Sequence, residues 1–151
     1  MIRITKQSDY GILMLTEMAS RPFEEVHTAR DLAGRIGLSV PMVSKILKPL
    51  ARGGIVISQR GVKGGYTLAR PADRITVGEI IAALEGPIGM TECVTNPGTC
   101  HQEAHCPVKV NWERISLAVR DALEHIPLSE MLGPEAPEAV GGGAALLSIG
   151  V

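Results

Sequence analysis

Apolar residues recur at helical spacing through the first third of the chain. Ile12, Leu15, Met18 and Ala19 share one face and predict a helix over 8–20, with Ser8 or Asp9 placed as its cap. A second predicted helix covers Ala29–Ile36, opened by Thr28 and stopped by Gly37. The third covers Val40–Arg52, with Ser39 as cap, Pro41 in the first turn and Gly53-Gly54 at the end. Its apolar face is Val40, Val43, Leu47 and Leu50, with Ile46 beside them. The opposite face shows Pro41, Met42, Ser44, Lys45 and Lys48. A stop at Gly37 followed by a new cap at Ser39 joins two helices by a tight turn, the arrangement of a helix-turn-helix.

The pattern then changes period. β-Branched Ile55-Val56-Ile57 runs into a basic, glycine-rich tip of Arg60, Gly61, Lys63, Gly64 and Gly65, and a second short strand follows over Tyr66–Ala69. This predicts a β-hairpin with a cationic tip, the wing of a winged helix. Thr76–Leu84 predicts a further helix whose Ile80, Ile81 and Leu84 pack inward. From Pro107 to about Ile126 a long helix places Val108, Trp112, Ile115, Val119, Ala122 and Ile126 at heptad spacing, and Pro127 ends it. That seam suits a second copy of the chain, the alternative being packing onto its own domain. The expected fold is mainly α with a small β-hairpin: a winged helix-turn-helix domain over 1–75, then a cysteine-loop sensor and dimerisation region over 76–132. Residues 133–151, rich in Gly, Pro and Ala without helical period, are expected to be disordered.

Composition sharpens this picture. Only Tyr10, Phe23, Tyr66 and Trp112 are aromatic, so the core must be aliphatic and a stacking platform for single strands is not expected. The net charge of −1 by itself argues against nucleic acid, but it is unevenly spread. Residues 1–75 carry twelve Lys+Arg against six Asp+Glu, and residues 76–151 carry three against ten, a balance of +6 and −7. The basic half suits double-stranded DNA. Helix-face side chains Ser39, Pro41, Met42, Ser44, Lys45 and Lys48 can face base edges and backbone in the major groove. Arg60 can enter a narrow minor groove, and Lys48, Arg52 and Lys63 can neutralise phosphates. Gly64 and Gly65, leading into Tyr66, allow close backbone approach to phosphate. No 18-residue apolar run and no charged-then-apolar leader occur, so neither a membrane span nor secretion is expected, and the cytoplasm is the expected compartment. No nucleophile–base pairing or phosphate loop emerges, so an enzyme is not expected.

Cys93, Cys100 and Cys106 fall in a 14-residue window rich in Pro, Gly and His that reads as a loop. Their spacing is C-x6-C-x5-C, and Cys106 directly precedes the predicted start of the long helix, where the helix dipole favours a thiolate. Thiolates are the ligands soft metals require. Three cysteines leave a four-ligand site one short, with His101, His105 or a carboxylate as candidates for the fourth. An iron–sulfur cluster, a zinc site lacking the usual paired knuckles, and three unrelated loop thiols all remain open on spacing alone.

The opening MIRITKQSDYGILML, the helix GLSVPMVSKILKPLARGGIV, the wing SQRGVKGGYTLAR, the segment ITVGEIIAALEG and the three-cysteine loop together resemble the Rrf-type winged-helix regulators. That family includes the Isc-type, nitric-oxide-sensing and SUF-system iron–sulfur repressors, and the loop followed by CPVKVNWERI looks closest to the SUF-system regulators. The resemblance covers residues 1 to about 132. It implies a dimeric cytoplasmic repressor of promoter DNA, with Cys93, Cys100 and Cys106 holding an iron–sulfur cluster, [2Fe–2S] in preference to [4Fe–4S]. Arg60 matches the family's wing arginine, and Ser39–Lys45 match its helix contacts.

There are departures from the family pattern. Lys109 stands where Isc-type members place a histidine ligand, the first cysteine gap is one residue longer, and Ser44 replaces a glutamate that discriminates operators. Asp9 matches the aspartate that nitric-oxide sensors offer to the partner's cluster, with His105 as the other candidate fourth ligand. Two further readings stay open: a cofactor-free or zinc-containing thiol repressor of the same fold, and an iron–sulfur carrier without a DNA role.

Overall fold

The computed structural model describes residues 2–133, so the segment expected to be disordered lies outside the described residues except for Gly133. Helix α1 spans Lys6–Ala19, α2 Ala29–Ile36 and α3 Val40–Arg52. A hairpin of β1 (Val56–Gln59) and β2 (Gly65–Leu68) follows, then α4 (Val77–Glu85), a short α5 (Glu92–Thr95) and α6 (Lys109–Glu124). Single 3-10 turns occupy Ala72–Arg74, Glu103–His105 and Leu128–Met131.

Helices α2 and α3 have the predicted boundaries because their signals are local. The Thr28 side chain accepts from Asp31 N–H, Ser39 accepts from Met42 N–H at 3.3 Å, and Gly37 supplies a left-handed stop at φ 69°. Helix α1 starts earlier than expected. Its cap is Thr5, which accepts from Ser8 N–H, so neither Ser8 nor Asp9 is the cap. The Ser8 hydroxyl instead donates to Glu85 Oε1 at 2.5 Å, joined there by the Thr5 hydroxyl at 2.7 Å and the Thr5 amide at 3.2 Å. Burial works against the Glu85 carboxylate, but these donors outweigh it and hold its pKa below the ordinary glutamate value. The end of α4 therefore clasps the beginning of α1. Gly11 allows the same close crossing, since a Cβ there would lie 2.5 Å from Leu84 Cδ1.

One aliphatic core joins Met14, Leu15 and Met18 of α1, Leu32 of α2, and Val43, Ile46, Leu47 and Leu50 of α3 with Ile55, Val56, Leu68, Ile75, Ile80 and Leu128. Val40 departs from its predicted core position: it is the first residue of α3 and is 41% exposed. The core crosses residue 75, where the charge divides. The Leu128 amide donates to the Ile75 carbonyl at 2.7 Å and Val77 to Ile126 at 2.8 Å, returning the chain onto the first half.

The hairpin pairs antiparallel with Val56 opposite Leu68 and Gln59 opposite Gly65. Ile55 belongs to the core and the first strand starts one residue later than expected, running on to Gln59. Helix α4 opens with the reciprocal Thr76–Glu79 capping box, and Arg70 holds Glu79 at 3.0 Å.

Truncating Leu47 to Ala is expected to cost about 2–5 kcal/mol. The same truncation at Val40 should stay within about 0.5 kcal/mol. Urea unfolding of both variants checks the corrected core assignment.

Candidate nucleic-acid interface and cysteine loop

Packing of Val43, Ile46, Leu47 and Leu50 inward turns the other side of α3 to solvent. Pro41, Met42, Lys45 and Lys48 are exposed and Ser44 is half-buried. Ser39 lies at the same end, with its hydroxyl already accepting from the Met42 amide. Lys45, Lys48 and Arg52 line one groove with Gln7 and with Ala83 and Leu84 of α4. Arg60 and Lys63 stand exposed at the wing tip. Among the described residues, none of Lys45, Lys48, Arg52, Arg60 and Lys63 is in an ion pair, a state they share with Arg3, Lys6, Arg30, Arg74, Arg114 and Arg120; their exposure on α3 and at the wing tip sets them apart. The face carries cations left available for another polyanion.

Two wing glycines make room for the protein's own backbone. A Cβ on Gly64 would lie 2.5 Å from the Gln59 carbonyl oxygen, inside the turn closed by the Gly64 amide on Gly61 O. A Cβ on Gly65 would lie 2.5 Å from the His27 carbonyl oxygen. Tyr66 is half-buried against the core and pairs through its backbone with His27 on the far edge of β2.

The cysteine loop is more ordered than its composition implied. Cys93 lies in α5, its Sγ 3.2 Å from Thr91 Oγ1, and all three cysteines are free and half-buried. Helix α6 begins at Lys109 after Val108, so Cys106 falls short of the helix terminus on which its thiolate stabilisation was argued. Ser116, the one buried residue of α6, accepts from the Met90 amide at 2.9 Å, and Arg120 donates to Ile88 O at 3.1 Å. These contacts peg the entry of the loop to the helix. Between Cys100 and Cys106, Glu103 accepts from the Gly98 amide at 2.7 Å and from Lys109 Nζ at 2.8 Å. The hydrogen bond from Lys109 holds Glu103 below the ordinary glutamate pKa and raises that of Lys109 in return. Lys109, where a histidine ligand was absent, thus acts as a brace of the loop.

Asp9, His101 and His105 are exposed. Among the described residues, no three His, Cys, Asp or Glu side chains are placed to hold a metal ion. The donor chemistry suits an iron–sulfur cluster, but one chain does not gather Cys93, Cys100, Cys106 and a fourth ligand into a site. Of the predicted seam, Val108, Trp112 (38% exposed), Ile115 (43% exposed) and Ala122 are open to solvent, and Val119 and Ile126 are half-buried. Val110 and Leu117 are exposed beside them. No described helix is long and apolar enough to cross a membrane.

A helix-turn-helix with exposed cations, followed by a hairpin wing with a basic tip, defines a winged-helix DNA-binding transcriptional regulator. The chain belongs to the Rrf2 family: the family model described as an iron-dependent transcriptional regulator matches residues 4–134. The protein rrf2 of Nitratidesulfovibrio vulgaris is 30% identical over 131 residues, 87% of each chain. The solved structure of CymR, described as the global cysteine regulator of B. subtilis, superposes with a TM-score of 0.66 at 30% identity, covering 87% of this chain and 97% of that one. The solved structure of IscR from T. potens gives a TM-score of 0.65 at 29% identity, covering 95% and 94%.

Thr5, Glu85, Glu103, Ser116 and Arg120 escaped the sequence reading. Each acts through a partner distant in sequence or inside an irregular loop, where no periodic signal exists.

Replacing Ser116 by Ala leaves the Met90 amide without its acceptor, a cost of about 1–3 kcal/mol. Hydrogen exchange at Met90 and alkylation of Cys93 should both accelerate.

Proposed function

We propose that this regulator is a homodimeric, cytoplasmic repressor that binds double-stranded promoter DNA through α3 and the wing tip and senses iron–sulfur status through its cysteine loop. The observation that carries the DNA-binding surface is the set of exposed cations, Lys45, Lys48 and Arg52 along one groove of α3 and Arg60 and Lys63 at the wing tip, none of them in an ion pair among the described residues. Ser39, Pro41, Met42 and Ser44 lie along the same side of α3 and supply base-edge and backbone contacts. Replacing Lys48 by Ala should weaken binding to all sequences alike and lower the salt slope by about 1. Replacing Arg60 by Ala should weaken binding most where A·T-rich flanks narrow the minor groove. Gel shifts across a salt series measure both.

The dimer rests on the solvent-exposed apolar row Val108, Trp112 and Ile115, continued by Val119, Ala122 and Ile126, since an uncovered apolar stripe on a long helix favours a two-fold partner. Trp112→Glu combined with Ile115→Glu should convert the protein to a monomer on size exclusion. A dimer that survives both changes assigns the interface elsewhere.

Cys93, Cys100 and Cys106 are the thiolate donors this reading assigns to a [2Fe–2S] cluster, with Asp9 of a second copy or His105 of the same chain as fourth ligand. The assembly genes of such clusters are the expected targets. A second reading, a cofactor-free thiol sensor, is favoured by the separated, free thiols of the single chain and by the likeness to a cysteine regulator. Anaerobic purification with iron and sulfide counted per chain separates the two. A visible chromophore lost in Cys→Ser variants supports the cluster, whereas colourless protein with three titratable thiols supports the thiol sensor. Asp9→Ala and His105→Ala spectra then assign the fourth ligand.

A further inference from the structure

Among the described residues, His27 is the one titratable side chain buried outright, at 2% exposed, and neither the DNA face nor the cysteine loop uses it. It stands where the segment before α2 runs along β2. Its amide donates to the Tyr66 carbonyl and its carbonyl accepts from the Tyr66 amide, both at 2.8 Å. Strand β2 therefore has β1 on one edge and His27 on the other, and this pairing ties the wing to the segment that caps α2. Gly65 leaves room for it, since a Cβ would meet both the His27 carbonyl oxygen at 2.5 Å and Val26 Cγ1 at 2.9 Å.

The ring is read by Arg35 of α2, whose Nη1 lies 3.2 Å from His27 Nδ1. A guanidinium only donates, so Nδ1 accepts and the ring is neutral with its proton on Nε2. The surrounding charges balance around that neutral ring. Glu25 Oε1 lies 3.9 Å from Nδ1 and 3.7 Å from Arg35 Nη2, while Glu17 of α1 lies 3.9 Å from Arg35 and 3.7 Å from Arg21. Asp31 in the first turn of α2 also senses the ring, and the neighbour from β2 is Tyr66. Burial lowers the His27 pKa; the pull of Glu25 and Glu17 opposes this, and the repulsion of Arg35 and Arg21 reinforces it.

We propose that His27 is a positioning residue that locks the wing against the helix-turn-helix while neutral and loosens it when protonated. A proton on Nδ1 removes the acceptor of Arg35 Nη1 and sets two cations 3.2 Å apart, with Glu25 beside both and Glu17 beside Arg35 alone. Either Arg35, a third exposed, withdraws or the buried ring shifts; both undo the contact that ties α2 to the outer edge of β2. The neutral form is favoured in the folded protein. The lock is therefore complete above the ordinary histidine pKa of 6.5 and is lost as pH falls toward the lowered value.

The inference rests on the wing contributing to DNA affinity, and the experiment has one arm that depends on this and one that does not. Promoter affinity is measured at fixed salt from about pH 7.5 to about pH 5.5 for the natural protein and for His27→Gln. The glutamine can offer Arg35 an acceptor but cannot titrate. The natural protein should lose affinity several-fold on acidification and the variant should hold it. His101, His105 and His125 remain in both, so an equal loss in the variant overturns the proposal. In the second arm, NMR follows the His27 ring and the Gly65 and Tyr66 amides of the natural protein through the same range. The amides should shift with the ring's midpoint, and amides that ignore it overturn the proposal even if His27→Gln does not fold or DNA binding fails.

Discussion

The one aliphatic core that α1, α2 and α3 bury together is the contact on which everything else in this protein is hung. Met14, Leu15 and Met18 share it with Ile46, Leu47 and Leu50, and no aromatic ring is fully buried among them, so branched and flexible aliphatic side chains fill the interior. Fully burying such side chains stabilises by about 1.5–3 kcal/mol each. This contact also fixes which side of α3 is left over. Once its apolar side is spent on the core, Lys45 and Lys48 are left exposed, in one groove with Arg52. Reading surface and core are two sides of one amphipathic pattern.

The opposite charge of the two halves of the sequence does not produce two separable bodies. Leu128, close to the end of the described chain, is fully buried in the same core as Met14, and backbone bonds join Ile75 to Leu128 and Val77 to Ile126. Polar clasps add to this. Glu85 gathers three donors from Thr5 and Ser8, and Ser116 and Arg120 hold the strand of chain that enters the cysteine loop. A change at the loop is thus one helix, α4, away from the beginning of α1, and that route runs through short, directional hydrogen bonds that have few alternative arrangements. The wing is tied by a different device, the pairing of His27 with Tyr66, which links it to α2 and leaves the loop out.

Legibility followed the range of the interactions. Thr28, Ser39 and Gly37 act on amides and carbonyls within a few residues, and the ends of α2 and α3 could be read from them. The start of α1 could not. Ser8 and Asp9 are good caps by type, but Thr5 is equally good, and the choice was decided with Glu85, which lies eighty residues away. Val40 has the right character for the core and the wrong position, since it heads a helix that turns inward only from Val43 onward. Gly64, Gly65 and Tyr66 were legible as parts of a wing, while their close neighbours, Gln59 O, Gly61 O and His27, were not. The cysteines, Asp9 and His105 could be found by type and spacing. Whether they meet depends on a second copy or on rearrangement, because a single chain does not collect them.

The order and character of the elements, the basic tip of the hairpin, the three thiols and the family likeness were determined by the sequence alone. Capping, hydrophobic period and composition act over one to seven residues and survive in any context. The tertiary structure alone decided which cap opens α1, that the boundary at residue 75 lies inside a shared core, that Lys109 braces Glu103, and that a buried histidine forms the outer edge of the wing. Those outcomes depend on which distant groups arrive beside one another, and on the energy of leaving a buried donor or acceptor unmatched, which no local pattern records.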